Sequence, residues 1–190
     1  MTAVQGLWVL GGGIGSGKSR VRAILDDLEV PTIDADSLGH TVLQPDGPAF
    51  AEVATRWPQV VVDGVVDRRQ LGEIVFRDHE ALVELETMTH PHIFNLIRER
   101  VEEMDGGVVV EMPLLGRKPG PEWRVMVVDA KDEIRVERAV ARGMSEPEVR
   151  ARMSSQPSRG AWLAGSDAVI PNHGRIADLD STVERLLPFL

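Results

Sequence analysis

Short apolar runs recur along the chain at Leu7–Leu10, Val30–Ile33, Val108–Met112, Val125–Asp129 and Ala168–Ile170. Several are rich in β-branched residues and show no polar alternation. That pattern predicts strands buried on both faces of a parallel sheet. Most intervening segments are long enough to hold crossover helices, and Lys18–Leu28 has helical character. The expected architecture is a doubly wound α/β fold with ligands at the carboxyl ends of its strands.

The gap between the second and third runs is too long for one crossover. It carries helical stretches at Asp36–Leu43, Gly47–Arg56, Arg68–Phe76, His79–Met88 and Pro91–Met104. Val60–Val66 reads as two extended pieces around an Asp63-Gly64 turn. Residues 36–105 are therefore expected to form an inserted helical subdomain that binds an acceptor. A polar stretch over residues 142–165, helical around Glu146–Ser155, is expected to act as a lid. The core then comprises residues 1–35, 106–141 and 166–190 of a single domain, a size in keeping with 190 residues.

Composition narrows the function classes. Hydrophobic residues make up 43% of the chain, charged residues 27%, and the net charge is −9. An acidic balance argues against a general nucleic-acid binder, although ten of the 21 Lys and Arg fall between Arg117 and Arg159. With no cysteine there is no disulfide framework, thiolate zinc site or thiol nucleophile. No apolar stretch approaches the ~18–20 residues of a membrane span. A cytoplasmic protein working on small molecules, with no membrane partner, is expected. Its oligomeric state has no signature in the sequence.

The first run leads directly into Gly12-Gly13-Ile14-Gly15-Ser16-Gly17-Lys18-Ser19, a complete G-x-x-x-x-G-K-[ST] phosphate-binding loop. Strand, glycine loop and helix is the context this motif needs. Glycines let successive backbone N–H groups converge on phosphate oxygens at the positive end of the following helix. Lys18 is expected to reach the β- and γ-phosphates of a nucleoside triphosphate, and the Ser19 hydroxyl to sit on Mg²⁺.

Asp34 and Asp36 follow the second run, so their carboxylates project from a strand end toward that loop. Asp34 is suited to take the proton of an acceptor hydroxyl in phosphoryl transfer. Asp36 reads two ways, as a second site acid or as the cap of the helix that follows. Glu111 ends the third run, either in the magnesium shell or as a solvent-facing carboxylate. Arg135, Arg138 and Arg142 share one helical stripe, read as a triphosphate clamp or as a salt-bridged surface with Glu133 and Glu137. His90-Pro91 is expected to open a helix, with Pro at its first position. Arg68, beginning another, would reach an anionic acceptor or a neighbouring acid.

In order along the chain, these motifs resemble those of the dephospho-CoA kinase family. Gly12–Ser19 looks like its phosphate loop and Ile33-Asp34-Ala35-Asp36 like its acidic pair. Asp63–Arg68 with Leu71, Val75 and Phe76 is similar to its subdomain signature, and His90-Pro91 and Pro113-Leu114-Leu115 follow. Arg138 and Arg142 look like its paired arginines, and Gln156 like its lid glutamine. Asp167–Ile170, Asn172 and Gly174 resemble its last strand and adenine-side loop.

The resemblance implies a three-layer P-loop kinase with a five-stranded parallel sheet, using ATP and Mg²⁺ to phosphorylate the ribose 3′-hydroxyl of dephospho-CoA, the last step of CoA synthesis. It implies Asp34 as base, with Lys18, Arg138 and Arg142 around the transferring phosphate, Ser19 at the metal, and Asn172 by adenine. Asp36, Arg68 and His90 fall to the acceptor. The chain departs from the family pattern at Arg20, Glu111, Gly116, Arg117, Arg135 and Pro157. Several of these lie around acceptor and lid. A diverged paralogue acting on another nucleoside, nucleotide or hydroxyl metabolite, and a nucleotide-binding protein without transfer activity, are the alternatives.

Overall fold

A computed structural model describes residues 4–112, 117–174 and 176–189. The elements are β1 (Leu7–Gly11), α1 (Lys18–Asp27), β2 (Thr32–Asp34), α2 (Ala35–Val42), α3 (Phe50–Arg56), β3 (Val61–Val62), β4 (Val65–Val66), α4 (Arg68–Arg77), α5 (His79–Glu102), β5 (Val108–Glu111), β6 (Arg124–Asp129), α6 (Asp132–Ala141), α7 (Glu146–Ser154), α8 (Arg159–Ala164), β7 (Ala168–Pro171) and α9 (Ile176–Leu186). Two compact units result, Met1–Asp34 with Met104–Leu190, and Ala35–Glu103.

The first unit is built on a parallel sheet in the order β2-β5-β1-β6-β7. Every strand coincides with one of the apolar runs, shifted by a residue or two at its ends. The uninterrupted apolarity has a plain cause: Trp8, Leu10, Val109, Met126, Val128 and Ile170 share one core cluster with Val21, Ile24 and Leu25 of α1 and Leu179 and Val183 of α9. The alternate positions Val9, Val108, Val110 and Val127 are buried as well. β1 lies between β5 and β6, where the chain order reverses, so the loop after it opens at the topological switch point. α1 ends where Glu29 takes a left-handed φ of 57° and Val30 N donates back to Leu25 O at 2.9 Å.

The second unit packs its four helices and the β3–β4 hairpin around Val42, Val53, Trp57, Val60, Leu71 and Val75. Asp63 and Gly64, both at positive φ (51° and 78°), close the hairpin as the Asp-Gly pattern predicts. Asp67 accepts from Arg69 N and Gln70 N to cap α4, and Asp78 caps α5 in the same way.

Two expectations need correction here. The segments predicted as His79–Met88 and Pro91–Met104 are one helix of 24 residues, with Pro91 inside it and His90 at mid-helix instead of ahead of a first turn. Proline at 91 removes the bond to the carbonyl of Thr87. Both Pro91 and Thr87 lie on the exposed side of the helix, while Ala81, Thr89 and Ile97 anchor the buried side. Likewise the helix expected from Gly47 begins at Phe50, because Gly47 N turns back to Gln44 O and Ala49 N to Val42 O. Helices α8 and α9 lie where the hydrophobic pattern was read as core or lid without a helix. α8, six residues long, is too short to show periodicity.

Candidate active site

The loop between β1 and α1 delivers the first turn of α1 to the carboxyl edge of the sheet. Lys18 and Ser19 open that helix, where backbone N–H groups have no intrahelical acceptor. Gly17 precedes them at φ 105°, and a Cβ there would run into the amide of Asn172. Only glycine meets both demands. Lys18 Nζ donates to Gly12 O at 2.7 Å, which folds the lysine over the loop it follows.

On the open side of the loop, oxygen groups gather at the ends of three neighbouring elements. Ser19 Oγ donates to Glu111 Oε1 at 3.3 Å. Asp34 and Glu111 are register partners at the carboxyl ends of β2 and β5. Arg22, one turn beyond Lys18, places Nη1 2.6 Å from Asp34 Oδ2 and 3.4 Å from Glu111 Oε2. Burial pushes the Glu111 carboxyl up, against the opposing pull of Arg22 and Lys18. The hydrogen bond to Asp34 raises the Arg22 guanidinium. A hydroxyl and two carboxylates are hard oxygen donors of the type Mg²⁺ prefers, so these residues fit the ion that the loop motif implies. Arg22 is absent from the expectations above. Its only sequence signal is the four-residue step from Lys18, which puts it on the same face of α1.

Behind the loop, two arginines of the stripe turn toward the loop's own backbone and its neighbours. Arg135 is 4% exposed, and its Nε donates to Ile14 O at 2.9 Å while Nη1 pairs with Asp132. Arg138 is half-buried and donates to Asn172 O at 3.1 Å, Asn172 Oδ1 at 3.0 Å and Gly174 O at 3.1 Å. Desolvation pulls the Arg138 guanidinium below its ordinary value. Asn172 in turn donates Nδ2 to Ser16 O at 2.7 Å. Arg138 Nη1 reaches the same Ser16 O at 3.4 Å, so both residues hold the loop by that carbonyl. Arg142, the C-cap of α6, is exposed.

Segment 142–165 is tied to the same core. Gln156 Oε1 accepts from Ile14 N at 2.9 Å, and Arg159 makes paired 2.7 Å bonds to the buried Asp129 at the end of β6. These bonds hold the Asp129 carboxyl well below its usual range, with His173 Nε2 3.3 Å away adding to the effect. Pro157 falls between α7 and α8, where it interrupts neither helix. Arg20 pairs with Asp180 of α9 at 2.9 Å on the surface.

In the second unit, Asp36 is exposed within the first turn of α2, inside the helix and not at its cap position, where an acid suits the helix dipole. Arg68 is exposed at the first position of α4, and the His90 ring stacks on Phe94 with centroids 5.7 Å apart. Pro113, Leu114, Leu115 and Gly116 lie outside the described residues. Among the described residues no helix is long and apolar enough to cross a membrane.

Comparison with known proteins gives the same picture along nearly the whole chain. The dephospho-CoA kinase family model matches residues 7–178. A dephospho-CoA kinase of Thermobifida fusca is 38% identical over 181 residues, covering 92% of this chain and 90% of the relative. One of Thiobacillus denitrificans is 36% identical over 184 residues, covering 93% and 91%. Among solved structures, TT1252 of Thermus thermophilus superposes with a TM-score of 0.85 at 33% identity, over 98% of each chain. A dephospho-CoA kinase of Campylobacter jejuni gives 0.69 at 27%, over 95% and 94%. A shikimate kinase of Acinetobacter baumannii, 14% identical with a TM-score of 0.52, shares the fold. The sheet, its phosphate loop and these matches agree: the chain belongs to the dephospho-CoA kinase family.

Proposed function

We propose that the protein is a cytoplasmic, Mg²⁺-dependent kinase that transfers the γ-phosphate of ATP to the ribose 3′-hydroxyl of dephospho-CoA, completing CoA biosynthesis. One observation carries the chemistry. Asp34 and Glu111 stand side by side at adjacent strand ends, with Glu111 in hydrogen-bond reach of Ser19 in the phosphate loop. A base and a metal-holding acid are thus set on the open side of a triphosphate cradle.

Asp34 takes the acceptor hydroxyl proton as the oxygen attacks the γ-phosphorus, and ADP leaves along the opposite axis. The ion pair with Arg22 orients Asp34 for that role. Lys18 and the N–H groups opening α1 receive the β- and γ-phosphate charge. Mg²⁺, when bound, neutralises charge on the same oxygens, and Ser19 and Glu111 would hold it. Gly13, Ile14, Gly15, Ser16 and Gly17 form the cradle. Arg138 and Asn172 support it through Ser16 O, and remain the candidates for the transferring phosphate and for adenine. Arg142, one turn beyond Arg138 and exposed, is also available to the triphosphate. Acceptor recognition falls to the second unit, with Asp36, Arg68 and His90 as its candidates, and segment 142–165 serves as the lid over ATP.

Purified protein supplied with Mg²⁺ and ATP should consume ATP only when dephospho-CoA is added, yielding CoA with a 3′-phosphate by mass spectrometry. Turnover on another hydroxyl acceptor from a metabolite panel, with none on dephospho-CoA, would move the substrate assignment to that compound. ATP binding without turnover on any acceptor would reject the kinase reading.

A further inference from the structure

Ser16 Oγ, Arg135 Nη2 and Trp162 Nε1 are buried and have no hydrogen-bond partner among the described residues. Their residues are 1%, 4% and 2% exposed, and they come from the phosphate loop, α6 and α8. A polar atom removed from water and left unpaired costs free energy, so several such atoms in one place call for a shared partner. All three residues line one small cavity behind the loop, with a volume of about 10 Å³, together with Gly13, Asp129 and Arg159.

We propose that this cavity is a binding site for a single internal water molecule that joins the phosphate loop to α6 and α8. The cavity has the size of one water probe, and such a water needs two to four polar partners. Arg135 Nη2 and Trp162 Nε1 can only donate, so they require an acceptor with two lone pairs. Ser16 Oγ can accept one of the water's protons. An anion would satisfy the donors equally, but Arg159 is already paired with Asp129 and Arg135 with Asp132, so the lining offers no uncompensated positive charge to hold one. A neutral molecule that both accepts and donates fits the set.

The site completes a rear support for the loop. Gln156 holds Ile14 N, and the Trp162 ring lies so close that a Cβ on Gly11 would come within 2.9 Å of it. The water extends this grip to Ser16. Segment 156–162 thereby shapes residues 11–16 from behind, and losing the water should loosen the cradle. That last consequence rests on the loop binding ATP as proposed above. The water site itself does not, so it is tested first without nucleotide.

In ¹⁵N-labelled full-length protein, the Trp162 indole N–H, assigned by its loss in Trp162→Phe, should show cross-relaxation to a long-lived water and slow exchange with solvent. A high-resolution crystal structure should show one density peak in hydrogen-bond reach of all three atoms. An empty cavity, a direct protein acceptor on Trp162 Nε1, or a bromide ion at the site in crystals grown with bromide would each overturn the proposal. For the coupling to the loop, Ser16→Ala and Trp162→Phe should each weaken ATP binding by about fivefold, the value of one hydrogen bond. The double variant should lose little more than either single one, because both remove the same water. Losses that multiply would show two independent contacts and overturn the link.

Discussion

Arg22 approaches Asp34 to 2.6 Å, and the same guanidinium nitrogen lies 3.4 Å from Glu111. One side chain of α1 therefore holds together the two strand-end carboxylates on which the proposed chemistry depends. The side chains of Arg22 and Asp34 are 29% and 36% exposed, and such ion pairs contribute at most about 1 kcal/mol to stability. Arg22→Ala should lower Tm by no more than about 2–4 °C. Its larger effect should be on turnover, with kcat down about tenfold as Asp34 loses its orientation, one decade being ~1.4 kcal/mol of barrier. Calorimetry and steady-state kinetics on one preparation separate the two effects. A large Tm loss with unchanged kcat would make Arg22 merely structural.

Asp34→Asn keeps the shape of the side chain and removes its basicity. General-base groups contribute about 10²–10⁴-fold, so kcat should fall by that factor. ATP affinity measured by titration calorimetry should hardly move, because the cradle is built from residues 12–19 and their rear supports. Wild-type turnover in this variant would remove Asp34 from the reaction.

The parts of this arrangement differ in how far they were legible from sequence. Strands buried on both faces leave unbroken apolar runs, so β1, β5 and β6 could be placed within a residue or two. The phosphate loop was legible because its glycines answer to backbone geometry, as the Gly17 φ of 105° shows. The arginine stripe was harder. Spacing tells that Arg135 and Arg138 share a helical face, but what that face meets is set by residues far away in the chain, Ile14 and Asn172. Arg22 was hidden for the same reason, since its partners lie on two other strands. Pro91 misled because its cost depends on whether the carbonyl it orphans is wet, which is a tertiary property.

Gly17→Ala tests the cradle itself. An added Cβ meets the Asn172 amide, which is fixed by Ser16 O and Arg138, and an L residue is strained at φ 105°. The variant should lose about 1–3 kcal/mol in denaturant unfolding. ATP binding should weaken by far more than in Asp34→Asn, at least about tenfold. Intact ATP affinity would mean that the loop tolerates a shape other than the one seen here.

The last prediction concerns acid stability and centres on Asp129. Its carboxyl is 7% exposed and bonded twice to Arg159, and it is held below the ordinary carboxylate value of 3.8 chiefly by those bonds. The sign follows from linkage: a carboxyl lowered by folding binds fewer protons in the native state than in the unfolded one. Its contribution is therefore complete above about pH 4–5, close to the unfolded value, and is lost as pH falls through the folded value. Asp129→Asn keeps the volume but deletes the charge, and should cost about 2–3 kcal/mol at neutral pH, as for hydrogen bonds to charged groups. The gap between wild type and variant, followed by urea unfolding from neutrality into acid, should narrow below about pH 4. A gap that stays constant through that range would show that Asp129 stabilises by packing, with the Arg159 pair contributing little. Because Arg159 belongs to the segment that carries Gln156 and Trp162, ATP affinity should decline more steeply over the same acid range in the wild type than in the variant.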